Sequence, residues 1–342
     1  MWSGSEQAWP FSAAARPAPR GHAAQFDGWG AGKVLMASLS ARALALGAVA
    51  HYSSRVLALV VDQAGAIAGI AVRIDGALRF VRARRGVVLC AGGFIGNREM
   101  VGQYAPAALR CPQLVSGGND DGAGIRMGIS VGAAAIHMDQ FFATLPFFPP
   151  ESLVKGIFVN QRGSRFINED AYHGRVAHYV LGQPGGRAWL LVDNGIFGRP
   201  MIHPDITVAA AGDSWSEVEQ ELGMPTGALV HTVEEFNRHA AAGDDPYFHK
   251  AATWLRPLSE GPFAALSYCP DDMPAHAFTL GGLATLPDGR VLDTGRQPIA
   301  GLYAAGRTAC GLPRWGEGYS SGMSLGDSTF FGRMAGLHAA AR

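Results

Sequence analysis

The residues best suited to chemistry stand among glycines near the end of the sequence. Between Tyr319 and Asp327 there are three serines and two glycines. A glycine-rich loop that opens a helix leaves backbone N–H groups for a carbonyl or an anion, and its small residues let a large flat ligand approach the backbone. Residues 301–307, just upstream, indicate a buried strand that ends in a glycine turn. Strand, turn and helix start together predict a cofactor cradle.

The same loop also matches a hydrolase pattern. Residues 318–322 and 322–326 both fit GxSxG, in which the serine is the nucleophile. Two overlapping matches show how readily glycine-rich sequence produces this pattern. A hydrolase of this kind needs an acid and then a histidine downstream, and only Asp327 and His338 follow. The hydrolase interpretation is therefore disfavoured.

Hydrophobic patterning predicts the elements that position this loop. Strands are expected at residues 51–62, at 66–74 and 78–83 around an Asp75–Gly76 turn, and at 86–94 as a buried strand ending in glycines. A helix is expected over 33–46, and a second begins at Asn97. A third follows Asp120 and Asp121, which suit its N-cap. A fourth follows Gly322, and its apolar stripe is expected to comprise Phe330, Phe331, Met334 and Leu337. Residues 1–32 are expected to form a flexible leading loop.

A second unit begins where aromatic residues and prolines crowd together at 141–150. Strands are predicted at 156–160, 165–169 and 189–192, and helices at 214–222 and at 232–242, the latter capped by Thr232. The predicted fold class is α/β with an α+β insertion. One domain comprises residues 1–143 and 274–342, and the inserted domain comprises residues 144–273.

Composition restricts the function class. The net charge is zero, with 28 basic and 28 acidic residues. The sequence lacks the basic stripe that would indicate nucleic-acid binding. The four cysteines are far apart and form no CxxC, which favours a reducing cytoplasm over a disulfide framework. Apolar runs are too short to span a bilayer, and the histidine spacing does not indicate a metal site.

Two segments carry a family resemblance. "PIAGLYAAGR" and "GYSSGMSLGDSTFFGRMAG" resemble the C-terminal FAD-closing segment of the fumarate reductase/3-ketosteroid dehydrogenase flavoproteins, and the second is most similar to dehydrogenases that introduce the Δ4 double bond. The resemblance runs from about Pro17 to Arg342. It implies a truncated Rossmann-like FAD-binding domain with an inserted capping domain. It also implies an FAD-dependent oxidoreductase that converts CH–CH to C=C in a 3-ketosteroid or similar apolar ketone, by hydride transfer to flavin N5 and on to an external electron acceptor.

The resemblance also implies the site residues. Tyr319 would bind the 3-keto oxygen together with the Gly322 N–H group, and Ser321 or Tyr172 would transfer the proton. The residues implied to contact FAD are Val56, Ala91, Gly92, Gly93, Ala305, Gly306, Gly322, Ser324 and Leu325.

The resemblance also bears on the substrate. At the positions where fumarate reductases hold a dicarboxylate with histidine and arginine, this chain has Phe278, Ser324 and His173. Aromatic residues would line an apolar slot instead, namely Phe278 and the pairs Phe141/Phe142 and Phe147/Phe148.

The strand–GxGxxG–helix unit that seats the FAD pyrophosphate is not found in these residues. Gly28, Gly30 and Gly32 follow no predicted strand, so they match it poorly. We therefore expect this stretch alone to bind FAD weakly. Two alternatives stay open: a fragment or one half of a split flavoprotein, and a remnant that binds a ligand without redox chemistry.

Overall fold

The computed structural model describes residues 4–13, 31–145, 150–199, 206–273 and 275–341. Its helices are α1 Ala31–Ala45, α2 Arg98–Tyr104, α3 Ala123–Ser130, α4 His173–Leu181, α5 Trp215–Glu221, α6 Ala228–Ala241 and α7 Met323–Ala340. Its strands are β1 Ser54–Val61, β2 Ile67–Ile74, β3 Ala77–Arg82, β4 Val87–Leu89, β5 Gln113–Leu114, β6 Ala135–Ile136, β7 Phe141–Thr144, β8 Ile157–Asn160, β9 Ala188–Asp193, β10 Val208–Gly212, β11 Phe263–Ser267, β12 His276–Thr279, β13 Gly282–Leu283, β14 Arg290–Leu292 and β15 Pro298–Ala304. Within these described ranges, no helix combines the length and apolarity needed to cross a membrane.

Strand β15 brings two distant parts of the sequence together. It runs parallel to β4, with Leu302 opposite Val87 and Ala304 opposite Leu89. Its second half is buried, as its apolar sequence predicts. Because the carboxyl ends of neighbouring parallel strands share one edge of the sheet, the turns that follow β4 and β15 lie side by side.

The predicted strand over 86–94 is shorter and less buried than expected. Strand β4 covers only Val87–Leu89, and Cys90 and Ala91 beyond it are exposed. The hairpin prediction is confirmed, since β2 and β3 pair around Asp75 and Gly76, which both have positive φ. Such a two-residue turn matches the twist of an antiparallel pair.

The second unit is built on an antiparallel sheet with strand order β10-β11-β9-β8, on which α5 packs. The strand predicted at 165–169 is wrong, because only Arg165 bridges to β8. Arg165 instead pairs with Glu169 at 2.9 Å and with Asp245 at 3.0 Å, and Lys250 contacts Glu169 at 3.1 Å. These motif residues therefore form a buried ion network that holds the sheet to the segment around residue 250.

Helix α6 begins earlier than predicted, and Thr232 does not cap it. It starts at Ala228, and Glu219 of α5 accepts hydrogen bonds from the N–H groups of Gly227 at 2.6 Å and Leu229 at 2.7 Å. A carboxylate at a helix N-terminus both satisfies N–H groups and opposes the helix dipole.

The apolar stripe predicted on α7 is confirmed only in part, since Phe331 and Met334 are half-buried. Phe330 and Leu337 are more than half exposed. The helix also packs through small side chains, with Ala335 buried against Gly289. Close packing of a helix on a strand hairpin needs small residues at the contact.

The first described residues form a loop, as predicted, and this loop packs against another part of the protein. Residues 4–13, which we call the N-terminal strap, lie along the segment that leads into α4. The Ser5 N–H group donates to the Asp170 carbonyl at 2.8 Å, and a bridge pairs Ser5 with Ala171. The remainder of the predicted leading loop up to residue 30 lies outside the described residues.

Candidate active site

The turn after β4 is shaped by two side chains from elsewhere in the chain. Gly92 has a φ of 78°, in the left-handed region that favours glycine. A Cβ on Gly92 would collide with the Asp120 carboxylate, and one on Gly93 with the Thr279 hydroxyl. Asp120 accepts a hydrogen bond from the Gly93 N–H group at 2.8 Å, and Thr279 accepts one from Phe94 at 3.1 Å. The two glycines are therefore required by protein neighbours, whatever ligand lies beyond them.

Residues that follow β15 form hydrogen bonds with the same turn. Ala305 donates to the Leu89 carbonyl at 3.1 Å, and Thr308 Oγ1 donates to the Gly92 carbonyl at 3.0 Å. Arg307 donates to both carboxylate oxygens of Asp120, at 3.1 and 2.9 Å. The two turns thus form one hydrogen-bonded unit.

Helix α7 starts beside this unit with an open N-terminus. Gly322 precedes it with a φ of 87°, and no side chain caps the helix. A Cβ on Gly306 would lie 3.3 Å from Ser328 Oγ, which places the β15 turn against the second turn of α7. Leu325 and Ala91 are exposed here. An uncapped helix end next to exposed apolar side chains fits the polar rim and the flat face of a flavin.

A separate aromatic cluster lies next to the start of α7. Its buried members are Phe142, Tyr172, Phe278, Leu280 and Tyr319, and Met323 packs against them. Strands β7 and β12 pair antiparallel with Phe142 opposite Phe278, which makes a cross-strand aromatic pair. The Phe142 ring centroid lies 4.4 Å from that of Tyr319 and 6.3 Å from that of Tyr172. Phe142 therefore packs against both tyrosines.

Part of the predicted apolar slot is not in this cluster. Phe141 belongs to the main core and contacts His178, because neighbouring residues of a strand face opposite sides. Phe147 and Phe148 lie outside the described residues.

The hydroxyl groups of the cluster form two pairs. The Tyr172 hydroxyl lies 2.9 Å from Ser321 Oγ, and the Tyr319 hydroxyl donates to Ser324 Oγ at 3.1 Å. Both tyrosines are buried, and Ser321 is exposed. The structure thus gathers the three predicted catalytic residues around one cluster, and their roles stay a prediction.

His173 lies against the cluster as a neutral side chain. Its Nδ1 atom is 2.6 Å from Thr144 Oγ1, and its ring centroid is 4.3 Å from that of Tyr172. Burial lowers the pKa of His173 to about 4, with a small opposing effect of Glu6. At neutral pH the imidazole therefore brings no positive charge to the cluster.

Two predicted cofactor residues have other surroundings. Ser324 is engaged by the Tyr319 hydroxyl. Val56 lies on β1 opposite Val72, in the sheet with strand order β1-β2-β3. Their contact with FAD, like that of the other predicted cofactor residues, stays a prediction.

His338 lies too far from the GxSxG serines to complete a hydrolase triad. This residue lies fifteen positions into α7, roughly 22 Å along the helix from its start. Its Nδ1 atom contacts the Tyr303 hydroxyl at 2.9 Å. It therefore cannot serve as the base for either GxSxG serine.

Sequence reasoning missed Arg307 and assigned Asp120 the wrong role. Asp120 was expected to cap α3, but Gly122 is the N-cap and Asp121 accepts from the Ala123 N–H group at 2.9 Å. The sequence offered one signal for this: two aspartates precede α3, and a helix N-terminus needs only one of them, so the other is free for a different role.

Comparison with known proteins identifies the family. A family model described as an FAD binding domain matches residues 8–322. The chain belongs to this family. FAD is accordingly its cofactor, and the fold is the mixed α/β fold of flavoproteins related to fumarate reductases and ketosteroid dehydrogenases. The resemblance noted in the sequence is confirmed. The domain boundaries and the truncation of the Rossmann unit stay predictions.

Individual relatives are named for different activities. A crystal structure of 3-ketosteroid-Δ4-(5α)-dehydrogenase from Rhodococcus jostii with 4-androstene-3,17-dione is 39% identical, has a TM-score of 0.92, and covers 100% of this chain and 71% of its own. A probable fumarate reductase of Shewanella frigidimarina is 30% identical over 84% of this chain and 50% of its own length. A 3-oxosteroid 1-dehydrogenase of Mycolicibacterium smegmatis is 29% identical over 91% and 63%. This flavoprotein chain thus spans about half to two thirds of the length of these curated relatives.

Proposed function

We propose that this chain carries the substrate side of an FAD-dependent dehydrogenation of a 3-ketosteroid or a similar apolar ketone, in which CH–CH becomes C=C. The observation that carries the proposal is the aromatic cluster with its two hydroxyl pairs, Tyr319–Ser324 and Tyr172–Ser321. An apolar wall with a few placed hydroxyls suits a large apolar molecule with one carbonyl. Similarity to the Rhodococcus jostii dehydrogenase over the whole chain supports the same substrate class.

A dicarboxylate fits this cluster poorly. Carboxylates taken out of water need cationic partners. His173 is neutral at pH 7 because burial lowers its pKa to about 4. The charge of Arg307, which lies at the edge of the cluster, is matched by Asp120 at 2.9 Å. The remaining side chains of the cluster are aromatic, aliphatic or hydroxylic.

The chain's own residues account for the proton chemistry. The Tyr319 hydroxyl, which donates to Ser324 in the structure, donates to the ketone oxygen when the substrate is bound, and this stabilises the charge that grows on that oxygen. The Tyr172–Ser321 pair relays the proton from the carbon next to the carbonyl to water at the exposed Ser321, each hydroxyl giving up its own proton as it accepts one, and the electrons of that C–H bond form the new C=C bond. When bound, FAD would supply the acceptor for the hydride on the adjoining carbon. An external acceptor then takes the two electrons.

Neighbouring serines provide the test of this proton pair. Ser321→Ala removes the partner of Tyr172, so we expect turnover of a saturated 3-ketosteroid with a dye acceptor to fall by about a hundredfold. Ser320→Ala, one residue away, is the matched control and should change turnover little. Equal rates for the two variants would contradict the assignment. Fumarate, assayed in parallel with a reduced dye, should not be turned over, and efficient fumarate reduction would overturn the choice of substrate class.

A further inference from the structure

Arg307 lies where the two turns that follow β4 and β15 meet the aromatic cluster. Its Nη2 atom donates to both oxygens of Asp120, and its Nη1 atom donates to the Val115 carbonyl at 3.1 Å. The centre of its guanidinium group lies 5.2 Å from the Phe278 ring centroid. The N–H groups at the edge of the guanidinium therefore bind Asp120 and Val115, while its face packs on Phe278.

The first contact supports the turn after β4. The Asp120 side chain is only 8% exposed, and it accepts hydrogen bonds from the Gly93 N–H group and from Ser116. A buried carboxylate that loses its cation is strongly destabilised. The Arg307 charge is therefore what allows Asp120 to hold Gly93 in place.

The second contact supports the aromatic cluster. The Phe278 ring packs 5.1 Å from Phe142 and edge-on against Tyr319 at 5.6 Å. A guanidinium over an aromatic face is attracted by the ring quadrupole. Arg307 is thus one side chain away from the hydroxyl that the proposed function places at the ketone oxygen.

We propose that Arg307 is a positioning residue with two separable roles. Its charge, through Asp120, fixes the Gly92–Gly93 turn on the flavin side of the site. Its planar guanidinium fixes Phe278 and, through that ring, Tyr319. The first role concerns FAD binding alone, whereas the importance of the second for catalysis rests on the proposed function.

Three variants separate these roles. Arg307→Lys keeps the charge but lacks the planar fork, and Arg307→Met removes both. The double variant Arg307→Met/Asp120→Asn removes the cation together with the carboxylate that needs it. The matched control is Arg290→Met, because Arg290 also pairs with an aspartate, Asp288 at 2.8 Å, but lies on the β14 hairpin. Thermal unfolding of each variant controls for the fold.

The dissociation constant for FAD, measured by fluorescence titration, tests the first role. Arg307→Met should raise it by about tenfold or more, and the double variant should recover most of this loss. Arg307→Lys and Arg290→Met should stay near the unsubstituted protein. Wild-type affinity in Arg307→Met, or no recovery in the double variant, would overturn the role of the charge.

Two measurements test the second role. In protein labelled with fluorotyrosine, the fluorine resonance of Tyr319 should shift in Arg307→Lys and not in Arg290→Met. The rate of flavin reduction by a 3-ketosteroid should fall in Arg307→Lys at unchanged flavin content and with little change in KM. An unchanged Tyr319 resonance would overturn the role, even if no ketosteroid is turned over. An unchanged reduction rate in an active enzyme would overturn its importance for catalysis.

Discussion

At the scale of single residues, the Tyr319 hydroxyl, which we propose binds the ketone oxygen, is already hydrogen-bonded in the structure. It is buried, yet its proton is used, because Ser324 accepts it at 3.1 Å. A ketone oxygen that takes the place of Ser324 exchanges one neutral acceptor for another. The buried hydroxyl therefore stays paired before and after binding, which avoids the cost of an unsatisfied polar group.

The neutral state of His173 predicts how stability depends on pH. In the folded protein burial lowers the pKa of His173 from 6.5 to about 4, while the unfolded chain titrates near its ordinary value. The unfolded chain therefore binds more protons between these values. The stability that neutral His173 contributes to the folded protein is fully present above pH 6.5 and is lost as the pH falls towards 4.

We expect this residue to lower the free energy of unfolding by about 2–3 kcal/mol between pH 7 and pH 4.5. His173→Gln, which keeps a polar partner for Thr144, should lose less stability over the same range. Denaturant unfolding of both proteins at the two pH values measures the difference. His178, whose pKa burial also lowers, titrates in both proteins and cancels. Parallel pH profiles would mean that folding does not lower the pKa of His173.

At the scale of elements, Arg175 joins three segments of the site. It lies on α4, three residues after Tyr172, and only 4% of it is exposed. It donates to the Trp9 carbonyl of the N-terminal strap at 3.2 Å and to the Glu317 carbonyl at 3.4 Å. Its guanidinium also covers the Phe11 ring at 4.3 Å. The helix that follows Tyr172 and the loop that precedes Tyr319 are thus anchored to one side chain.

We expect Arg175→Met to release the strap. Proteolytic cleavage within residues 4–13 should become faster, because the strap loses its contacts with Arg175, and ketosteroid turnover should fall. Arg162→Met, at an exposed position in the same domain, is the control and should change neither quantity. Unchanged cleavage in Arg175→Met would show that the strap is held by its other contacts, such as the Ser5–Asp170 hydrogen bond.

Elements set by local pattern could be predicted from the sequence, and contacts between distant segments could not. The Asp75–Gly76 turn and the buried second half of β15 follow from their own residues. The cap of α6 comes from Glu219 on the preceding helix, so Thr232 was the wrong choice. The pairing of Arg307 with Asp120 spans 187 residues. No pattern within either segment indicates it, although both lie beside predicted cofactor residues.

At the scale of the whole molecule, apolar side chains remain exposed on several elements. All described side chains of α1 are exposed, as is every residue of β3. Met36, Leu39, Phe80, Phe330 and Leu337 are each at least half exposed. Where such side chains lie together, they mark surfaces that other protein or ligand groups cover.

The 342-residue polypeptide should bind FAD weakly when it is expressed as it stands. The start of α7 and the two turns offer contacts to the flavin ring, but the sequence contains no strand–GxGxxG–helix unit to hold the pyrophosphate. We expect flavin absorbance to separate from the protein during gel filtration. Stoichiometric FAD that stays with the protein would show that these residues hold the cofactor without such a unit.

The central claim, that this flavoprotein oxidises an apolar ketone with Tyr319 at the carbonyl oxygen, is tested most directly by the reductive half-reaction. Protein kept loaded by excess FAD is mixed anaerobically with a saturated 3-ketosteroid, and the loss of oxidised flavin absorbance is followed. We expect reduction in the unsubstituted protein and reduction slower by about a hundredfold to a thousandfold in Tyr319→Phe at equal flavin content, because the ring remains while the donor is lost. Reduction of Tyr319→Phe at the unsubstituted rate, or no reduction of either protein, would contradict the account.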